Sequence, residues 1–447
     1  MKQFFYMWGN TFYRAILSIV LIIMLAACAG QRKQHIVDVD EREVQNTIAT
    51  LADDRLKGRA IFTPEIEKAA AFIAEEFEVA GLKPLDGGAG DYLQRFQVTQ
   101  IKPVLTEIVL NGEVVNEESG FILSDQAGLN WNADPDVRIL HIREGENFRS
   151  KYREILERDM NAIVCVDKSF QKEFTYLKQH ADGGRIIRDE SKRKKASLVF
   201  VLQEDGPTSF RVNYAGKVEK KELANVVGVL PGKSMAKDLV VFSGHYDHIG
   251  ILKPVGQDSI ANGADDDASG VTAVISLAKA FAKQKDNERT LIFAAFTGEE
   301  SGGFGSQYFS EQLNPQEIVA MVNIEMIGKD SKFGPNSMYI TGFEKSNLGN
   351  ILQKNVRGTG FSFYADPYPE QNLFYRSDNA TLAALGVPAH TVSTVQIDKD
   401  DYYHTVKDEL KTLDIRNIVA SINAIALGVR SIVAGKDTPS RLEPLKD

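Results

Sequence analysis

The sequence LVVFSGHYDH, residues 239–248, contains both a strand and a group of metal-ligand residue types. Its first four residues are apolar, as expected of a strand that is buried on both faces of a sheet. Its second half places His245, Asp247 and His248 just after that strand. Histidine and carboxylate side chains are common zinc ligands. This stretch therefore predicts a metal-dependent site at the carboxyl end of a buried strand.

From Asn225 onward, apolar strands alternate with amphipathic helices. This alternation indicates an α/β fold, with a mixed, mainly parallel sheet that is covered by helices on both faces. The predicted strands are residues 225–230, 239–243, 290–296, 319–325, 337–341 and 387–392. The predicted helices are residues 44–51, 64–80, 268–284, 305–313, 346–357, 379–384 and 413–432.

Three of these strands lead directly into histidine or acidic side chains. His245 follows the strand at 239–243, Glu299 and Glu300 follow the next strand, and Glu325 ends the one after it. In open α/β sheets, ligands bind beyond the carboxyl ends of the strands. We therefore expect these side chains to converge at one edge of the sheet.

Two loops add further candidates. Asp266 lies in the sequence GADDDASG, where the acids either cap the following helix or bridge two metal ions. His404 supplies a second histidine. Asp247 is expected to accept a hydrogen bond from His245, because such carboxylates fix the tautomer of a ligating imidazole. His248 competes with His245, and it is expected to lie in a loop outside the ligand group.

The two adjacent glutamates, Glu299 and Glu300, are expected to diverge, so that one binds metal and the other faces the reacting water. Glu325 lies in the apolar run VNIEMIG, where an unpaired carboxylate would be costly. The sequence contains no Gly-x-Ser-x-Gly, no Gly-x-x-x-x-Gly-Lys-Ser/Thr, no His-Glu-x-x-His and no Cys-x-x-Cys. No other catalytic motif therefore competes with this acidic and histidine set.

Residues 1–27 have the layout of a secretory signal, with Lys2 and Arg14 before a short apolar run. The run is shorter than the about 20 residues of a spanning helix, and it ends in LAAC, which resembles the bacterial lipobox. We therefore expect lipid on Cys28 and a tether over 28–43. This predicts anchoring in the cell envelope, at the outer membrane or the periplasmic face; ordinary cleavage and an uncleaved anchor are the alternatives.

The remaining predictions concern the overall charge, Cys165 and the division of the chain into parts. The net charge of −9 excludes nucleic acid as an expected partner, because phosphate binding needs a basic surface. Cys165 lies in an apolar run and is expected to be a buried thiol. The predicted parts are 44–100 as the start of the catalytic domain, 101–222 as an inserted β-rich accessory module, 223–435 as the main catalytic domain and 436–447 as a polar tail.

Together, the motifs GHYDH, GADDDASG, GEE, NIEMIG and YHT, in that order, resemble those of the M28 family of zinc aminopeptidases. The resemblance implies a zinc exopeptidase fold of the phosphorylase/hydrolase-like type and two zinc ions per chain. It implies that an aspartate bridges the ions, with one histidine and one glutamate completing each site. The implied ligands are His245, Asp266, Glu300, Glu325 and His404.

The same resemblance implies that Glu299 is the general base and that Asp247 orients His245. The family usually has aspartate where this chain has Glu325. The resemblance therefore does not predict whether both zinc sites are filled. In some members a protease-associated domain occupies the position of the 101–222 module.

These features predict an exported, lipid-anchored aminopeptidase that hydrolyses N-terminal residues of peptides with a metal-activated water. One alternative is an enzyme like glutaminyl cyclase, which works with a single zinc; Glu325 gives this alternative some support. The other is a peptide-binding lipoprotein that has no activity. The sequence does not predict an oligomeric state.

Overall fold

The computed structural model describes residues 39–85 and 90–445. The predicted signal peptide and the predicted lipidation site Cys28 lie outside these residues. The strands are β1 Lys83–Pro84, β2 Leu93–Leu110, β3 Glu113–Val114, β4 Gly120–Ser124, β5 Gly128–Asn132, β6 Arg138–Ile142, β7 Ala162–Val166, β8 Arg185–Ile187, β9 Ser197–Leu202, β10 Phe210–Leu230, β11 Met235–His245, β12 Gly250–Val255, β13 Asp258–Ala261, β14 Arg289–Phe296, β15 Ile318–Ile324, β16 Ser337–Ile340, β17 Ser362–Ala365 and β18 Ala389–Ser393. The helices are α1 Glu41–Leu51, α2 Pro64–Val79, α3 Phe148–Glu157, α4 Gln171–Asp182, α5 Gly270–Gln284, α6 Phe304–Gln312, α7 Leu348–Asn355, α8 Asn379–Ala384 and α9 Ile415–Val433.

The main sheet has the strand order β17-β16-β18-β15-β11-β14-β10-β2-β3. Its centre, β18-β15-β11-β14, is parallel throughout. The flanking strands β16 and β10 join this centre in antiparallel fashion. The predicted mixed sheet is thus confirmed, and its parallel pairs are those of the four-stranded centre and the edge pair β16-β17.

Side chains along the central strands alternate between two cores. Val240 and Phe242 of β11 face a large core that contains residues of α1, α2, α5, α7 and α9. Val241, between them, faces a second core with Phe309 of α6 and Leu382 of α8. Because successive strand residues point to opposite faces, helices cover both faces of the sheet, as predicted.

Helix α9 is the longest helix of the large core. It begins after Asp414, whose carboxylate accepts hydrogen bonds from the main-chain N–H groups of Arg416 and Asn417 at 2.9 and 3.2 Å. Such a cap satisfies donors that have no partner inside the helix. The helix is long and apolar enough to cross a membrane, but 67% of its most apolar window is buried in the protein. It is therefore a helix of the core.

The region predicted as an inserted module is built on two very long strands. β2 and β10 pair antiparallel from Leu93 opposite Val226 to Leu110 opposite Phe210, so they run continuously from the main sheet into the module. There a second sheet has the order β4-β9-β7-β6. Helices α3 and α4 were not predicted, because few of their residues are apolar: each buries only one or two side chains. The module is therefore a mixed α/β unit.

The packing around His390 gives a testable property of the fold. The imidazole is buried, with Nδ1 2.8 Å from the main-chain oxygen of Thr341 and Nε2 2.7 Å from Ser346 Oγ. Because a carbonyl only accepts, Nδ1 carries the proton and Nε2 accepts from the hydroxyl, which is the neutral form of histidine. Burial lowers the pKa of His390 to about 4.

We expect His390 to make the protein less stable in acid. Its unfolded pKa is about 6.5, so the unfolded state binds more protons between pH 6.5 and 4, and stability is lost as the pH falls through this window. At pH 4.5 the loss amounts to about 2–3 kcal/mol relative to pH 7. Urea unfolding of the parent and of His390→Gln, both with chelator present, measures it. An equal loss in both proteins would contradict the assignment.

Candidate metal centre

Four neighbouring parallel strands bring polar side chains to one edge of the sheet. His245 is the last residue of β11, and Glu325 directly follows β15. Glu299 and Glu300 follow β14, and His404 lies in the loop after β18. The carboxyl ends of parallel strands lie at the same edge. The structure thus brings together the side chains that the sequence predicted to converge.

Asp266 lies at the centre of the group. Its Oδ1 is 3.2 Å from His245 Nε2, and its Oδ2 is 3.3 Å from His404 Nε2. Glu300 Oε2 is 3.0 Å from the same nitrogen of His404. Each oxygen of Asp266 therefore faces a different histidine, which is the arrangement in which one carboxylate can serve two cations.

His248 lies inside this group, although the sequence analysis placed it outside. Its Nδ1 is 2.8 Å from Glu300 Oε1 and 3.8 Å from Asp266 Oδ2. The ligand-type atoms of these three residues all lie within 4.8 Å of one another. The reason is local: the main-chain N–H of His248 donates to the Arg59 carbonyl at 3.3 Å, and the loop after β11 folds back over the site.

Asp247 contacts the site differently from the prediction. His245 Nδ1 lies 3.1 Å from the main-chain oxygen of Asp247, and not against its carboxylate. The carboxylate instead accepts from the main-chain N–H groups of Glu299 and Glu300 at 3.1 and 3.3 Å. The main chain of Asp247 therefore orients His245, while its side chain fixes the turn that carries both glutamates.

Several buried atoms of this group make no hydrogen bond of good geometry, although some of them lie close to one another. Buried polar atoms are nearly always paired, because an unpaired one costs desolvation free energy without compensation. Here they belong to residues that offer nitrogen and oxygen ligands, and such ligands suit zinc. The residues present therefore fit a metal ion. The unpartnered atoms are His245 Nε2, both ring nitrogens of His248, Glu300 Oε1 and Glu325 Oε2.

The pKa values of the acids and histidines in this group shift in different directions. Burial raises the pKa of Glu325 to about 7, and burial lowers that of His404. Contacts with Asp266 and Glu300 outweigh burial at His404 and raise its pKa to about 10. Burial likewise raises the pKa of Glu300, yet the two histidines beside it lower the value to about 2. A metal ion must therefore compete with protons that are held between the histidines and the acids.

The loop that carries Asp266 is held by acids on both sides. Asp408 accepts from the main-chain N–H of Asp265 at 2.9 Å and from that of Asp266 at 3.0 Å. Asp267 accepts from the main-chain N–H groups of His245 and Met326 at 3.2 and 3.1 Å. These bonds tie the loops after β11 and β15 to the central aspartate and fix its position.

Arg59 is a fully buried arginine next to the site. Its guanidinium donates to the main-chain oxygens of Tyr246 at 2.7 Å, Asn262 at 2.6 Å and Gly263 at 3.0 Å, and also to that of Leu51. One side chain thus satisfies carbonyl groups of three separate segments. Two of these segments carry His245 and Asp266.

The sequence analysis gave no role to Arg59, Asp408 or Asp378. Asp378 is buried, and neither of its carboxylate oxygens has a hydrogen-bond partner. Arg59 ends the sequence LKGR at residues 56–59, and Asp378 follows Ser377. Both segments also resemble the M28 family, and that likeness was the signal that could have found these two residues. Asp408 offered no signal, since its contact with Asp265 spans 143 residues.

Comparison with known proteins shows which family the residues around this site resemble. Residues 225–429 match the family described as "Peptidase family M28". Leucine aminopeptidase 1 of Metarhizium robertsii is 26% identical over 209 residues, which are 44% of this chain and 51% of that protein. A probable zinc metalloprotease of Pyrenophora teres f. teres is 33% identical over 123 residues, 26% of each chain. This chain covers less than two thirds of such relatives, from 26% to 63% of their length.

Two solved structures share the fold over most of the chain. An aminopeptidase from Aneurinibacillus sp. strain AM-1 aligns with a TM-score of 0.60 at 19% identity, over 92% of this chain and 98% of that one. BSAP, a zinc aminopeptidase from Bacillus subtilis, aligns with a TM-score of 0.58 at 14% identity, over 90% and 97%. Residues 225–429 of this chain are therefore similar to peptidase family M28.

Proposed function

We propose that this protein is a zinc-dependent aminopeptidase that removes N-terminal residues from peptides. The observation that carries this proposal is the group around Asp266, whose buried nitrogen and oxygen atoms lack other partners. Glu299 lines the same cavity as Asp266, Glu300 and His404. The family match and the names of the relatives support the same activity.

The residues divide into two proposed zinc positions. His245, Asp266 and Glu325 would hold one ion, and Asp266, Glu300 and His404 would hold the other, with His248 beside the second. Zinc in such a site lowers the pKa of a water molecule and polarises the substrate carbonyl. The extra methylene of Glu325 reaches further than the aspartate that the family usually has, so the first position is the more altered one.

Glu299 is proposed to move the proton. Burial and the nearby carboxylates of Glu325 and Glu300 raise its pKa well above its ordinary value. A carboxylate with a raised pKa is a stronger proton acceptor. Glu299 therefore takes a proton from the attacking water and later gives it to the leaving amine. The neighbouring carboxylates attract the positive N-terminus of the peptide.

We also propose that the protein is exported and held at the cell envelope by lipid on Cys28. The support is the sequence of the first 28 residues, with a basic start, an apolar run and LAAC at its end. Two or more acyl chains are enough for stable membrane anchoring. Mass spectrometry of the mature N-terminus tests this, because an unmodified Cys28 or a free Met1 would contradict it.

The first test is the metal content of the full chain, purified in detergent and loaded with zinc. We expect two zinc ions per chain and release of leucine from leucinamide, both abolished by a chelator. One zinc ion with formation of pyroglutamate from a glutaminyl peptide would indicate a cyclase. A chain that binds no zinc and hydrolyses nothing would contradict the proposed function.

A further inference from the structure

Side chains of the main domain and of the 101–222 module line the cavity beside the proposed metal centre. Its volume is about 170 Å³, below the roughly 300–1,000 Å³ of pockets for drug-sized ligands. The carboxylates of Asp266, Glu299, Glu300 and Glu325 line it. Two further lining residues, Arg376 and Tyr176, have no part in the proposed reaction.

Arg376 is the only lysine or arginine among the described residues that line this cavity. Arg376 is half-buried, and its Nη1 donates to the neutral Gln371 Oε1 at 3.3 Å. Within residues 39–85 and 90–445, no carboxylate oxygen lies within 4.0 Å of it. An arginine in a strongly acidic cavity without an acidic partner is free to pair with a carboxylate that arrives with the substrate.

Tyr176 comes from helix α4 of the module, lines the cavity and is 47% exposed. Burial and the Glu300 carboxylate raise its pKa, so the hydroxyl stays protonated and can donate a hydrogen bond. The module is fixed to the main domain close by. Arg188 of the module donates through Nη1 to Glu311 Oε2 of α6 at 2.7 Å.

We infer that Arg376 and Tyr176 form a subsite for a carboxylate on the residue that follows the scissile bond. The inference rests on the proposed function and narrows its substrates to peptides that carry a carboxylate on the residue after the scissile bond. The acidic lining attracts the N-terminal ammonium group, and the guanidinium attracts the negative charge. A dipeptide carries both charges, and its length suits so small a cavity.

The carboxylate has two chemical sources. It is the C-terminal carboxylate of a dipeptide, or it is the side chain of an aspartate or glutamate that follows the scissile bond. Leu-Leu compared with Leu-Leu-amide tests the first source. Leu-Glu-amide compared with Leu-Gln-amide tests the second, because only the side-chain charge differs.

The experiment measures kcat/KM for these four peptides with the zinc-loaded full chain. We expect one acidic peptide to be preferred over its neutral partner by about tenfold to a hundredfold, the range of a charge-assisted hydrogen bond. Arg376→Met should lower this preference to near one, Arg376→Lys should keep part of it, and Tyr176→Phe should lower it less. Arg357→Met, an exposed arginine of the same domain, is the matched control and should keep the full preference.

The outcomes separate the two proposals. Equal rates for acidic and neutral peptides, or a preference that survives in Arg376→Met, would overturn the subsite while leaving the aminopeptidase intact. No hydrolysis of any peptide by a zinc-loaded chain would overturn the proposed function and the subsite with it. Circular dichroism of each variant shows that a lost preference does not come from misfolding.

Discussion

Glu299→Gln is expected to lower kcat by about 10²–10⁴-fold, while the zinc content stays that of the parent protein. Glutamine has nearly the same shape as glutamate but cannot accept the proton of the attacking water, and that range is typical for loss of a general base. The turn itself should persist, because its contact with Asp247 is made by the main-chain N–H groups of Glu299 and Glu300.

The matched control for this variant is Glu317→Gln, an exposed glutamate before β15, which should keep parental activity. Zinc content and kcat are measured on the same preparations. Full activity of Glu299→Gln would show that another group moves the proton. Loss of zinc together with activity would instead make Glu299 a ligand.

Arg59→Met is expected to lower the free energy of unfolding by about 3–5 kcal/mol and to reduce zinc binding. The change leaves main-chain oxygens of Leu51, Tyr246, Asn262 and Gly263 without their common donor. Each buried polar group that loses its partner costs about 1–3 kcal/mol. Zinc binding should fall because two of these segments carry His245 and Asp266.

Urea unfolding and zinc titration measure both effects. Arg55→Met is the control, because Arg55 is an exposed residue that pairs only with Asp53 at the surface, and such pairs contribute about 0–1 kcal/mol. Arg59→Lys should not restore the parent, since an ammonium group cannot reach several carbonyls in the fork geometry of a guanidinium. If Arg59→Met were as stable as the parent protein, this would contradict the stabilising role of Arg59 at the site.

The sequence predicted the central sheet well because both faces of its strands are buried. β11, β14 and β15 are nearly continuous apolar runs, and their predicted ends differ from the observed ones by at most four residues. Of β2, only the part after residue 101 lay in a region that was predicted to be β-rich. Most of its length alternates with polar residues and contains Pro103, where the register with β10 shifts between Ala215 and Gly216. A proline beside such a bulge in a half-exposed strand conceals the strand from pattern reading.

The site was predictable where residues follow strands or lie in loop motifs such as GADDDASG and YHT, and it was not predictable where loops meet through long-range contacts. His245, Glu300 and Glu325 are placed by strand ends, so the order of the sheet brings them together. His248 depends on how one loop folds back onto the Arg59 carbonyl. Asp408 acts through a contact across 143 residues. Such contacts are fixed by tertiary packing, which the local pattern does not describe.

The pairing of β2 with β10 has a consequence for how the module is attached. Leu110 and Phe210 are partners at the far end of the pair, and the Asn111 N–H donates to the Ser209 carbonyl at 2.9 Å. The chain therefore leaves and re-enters this ladder at adjacent points, as in the closing turn of an ordinary hairpin. The residues between them can be shortened, exchanged or replaced by a tight turn without changing the strand order of the main sheet. Tyr176, which lines the cavity, therefore belongs to a segment that can differ without any change in the main sheet.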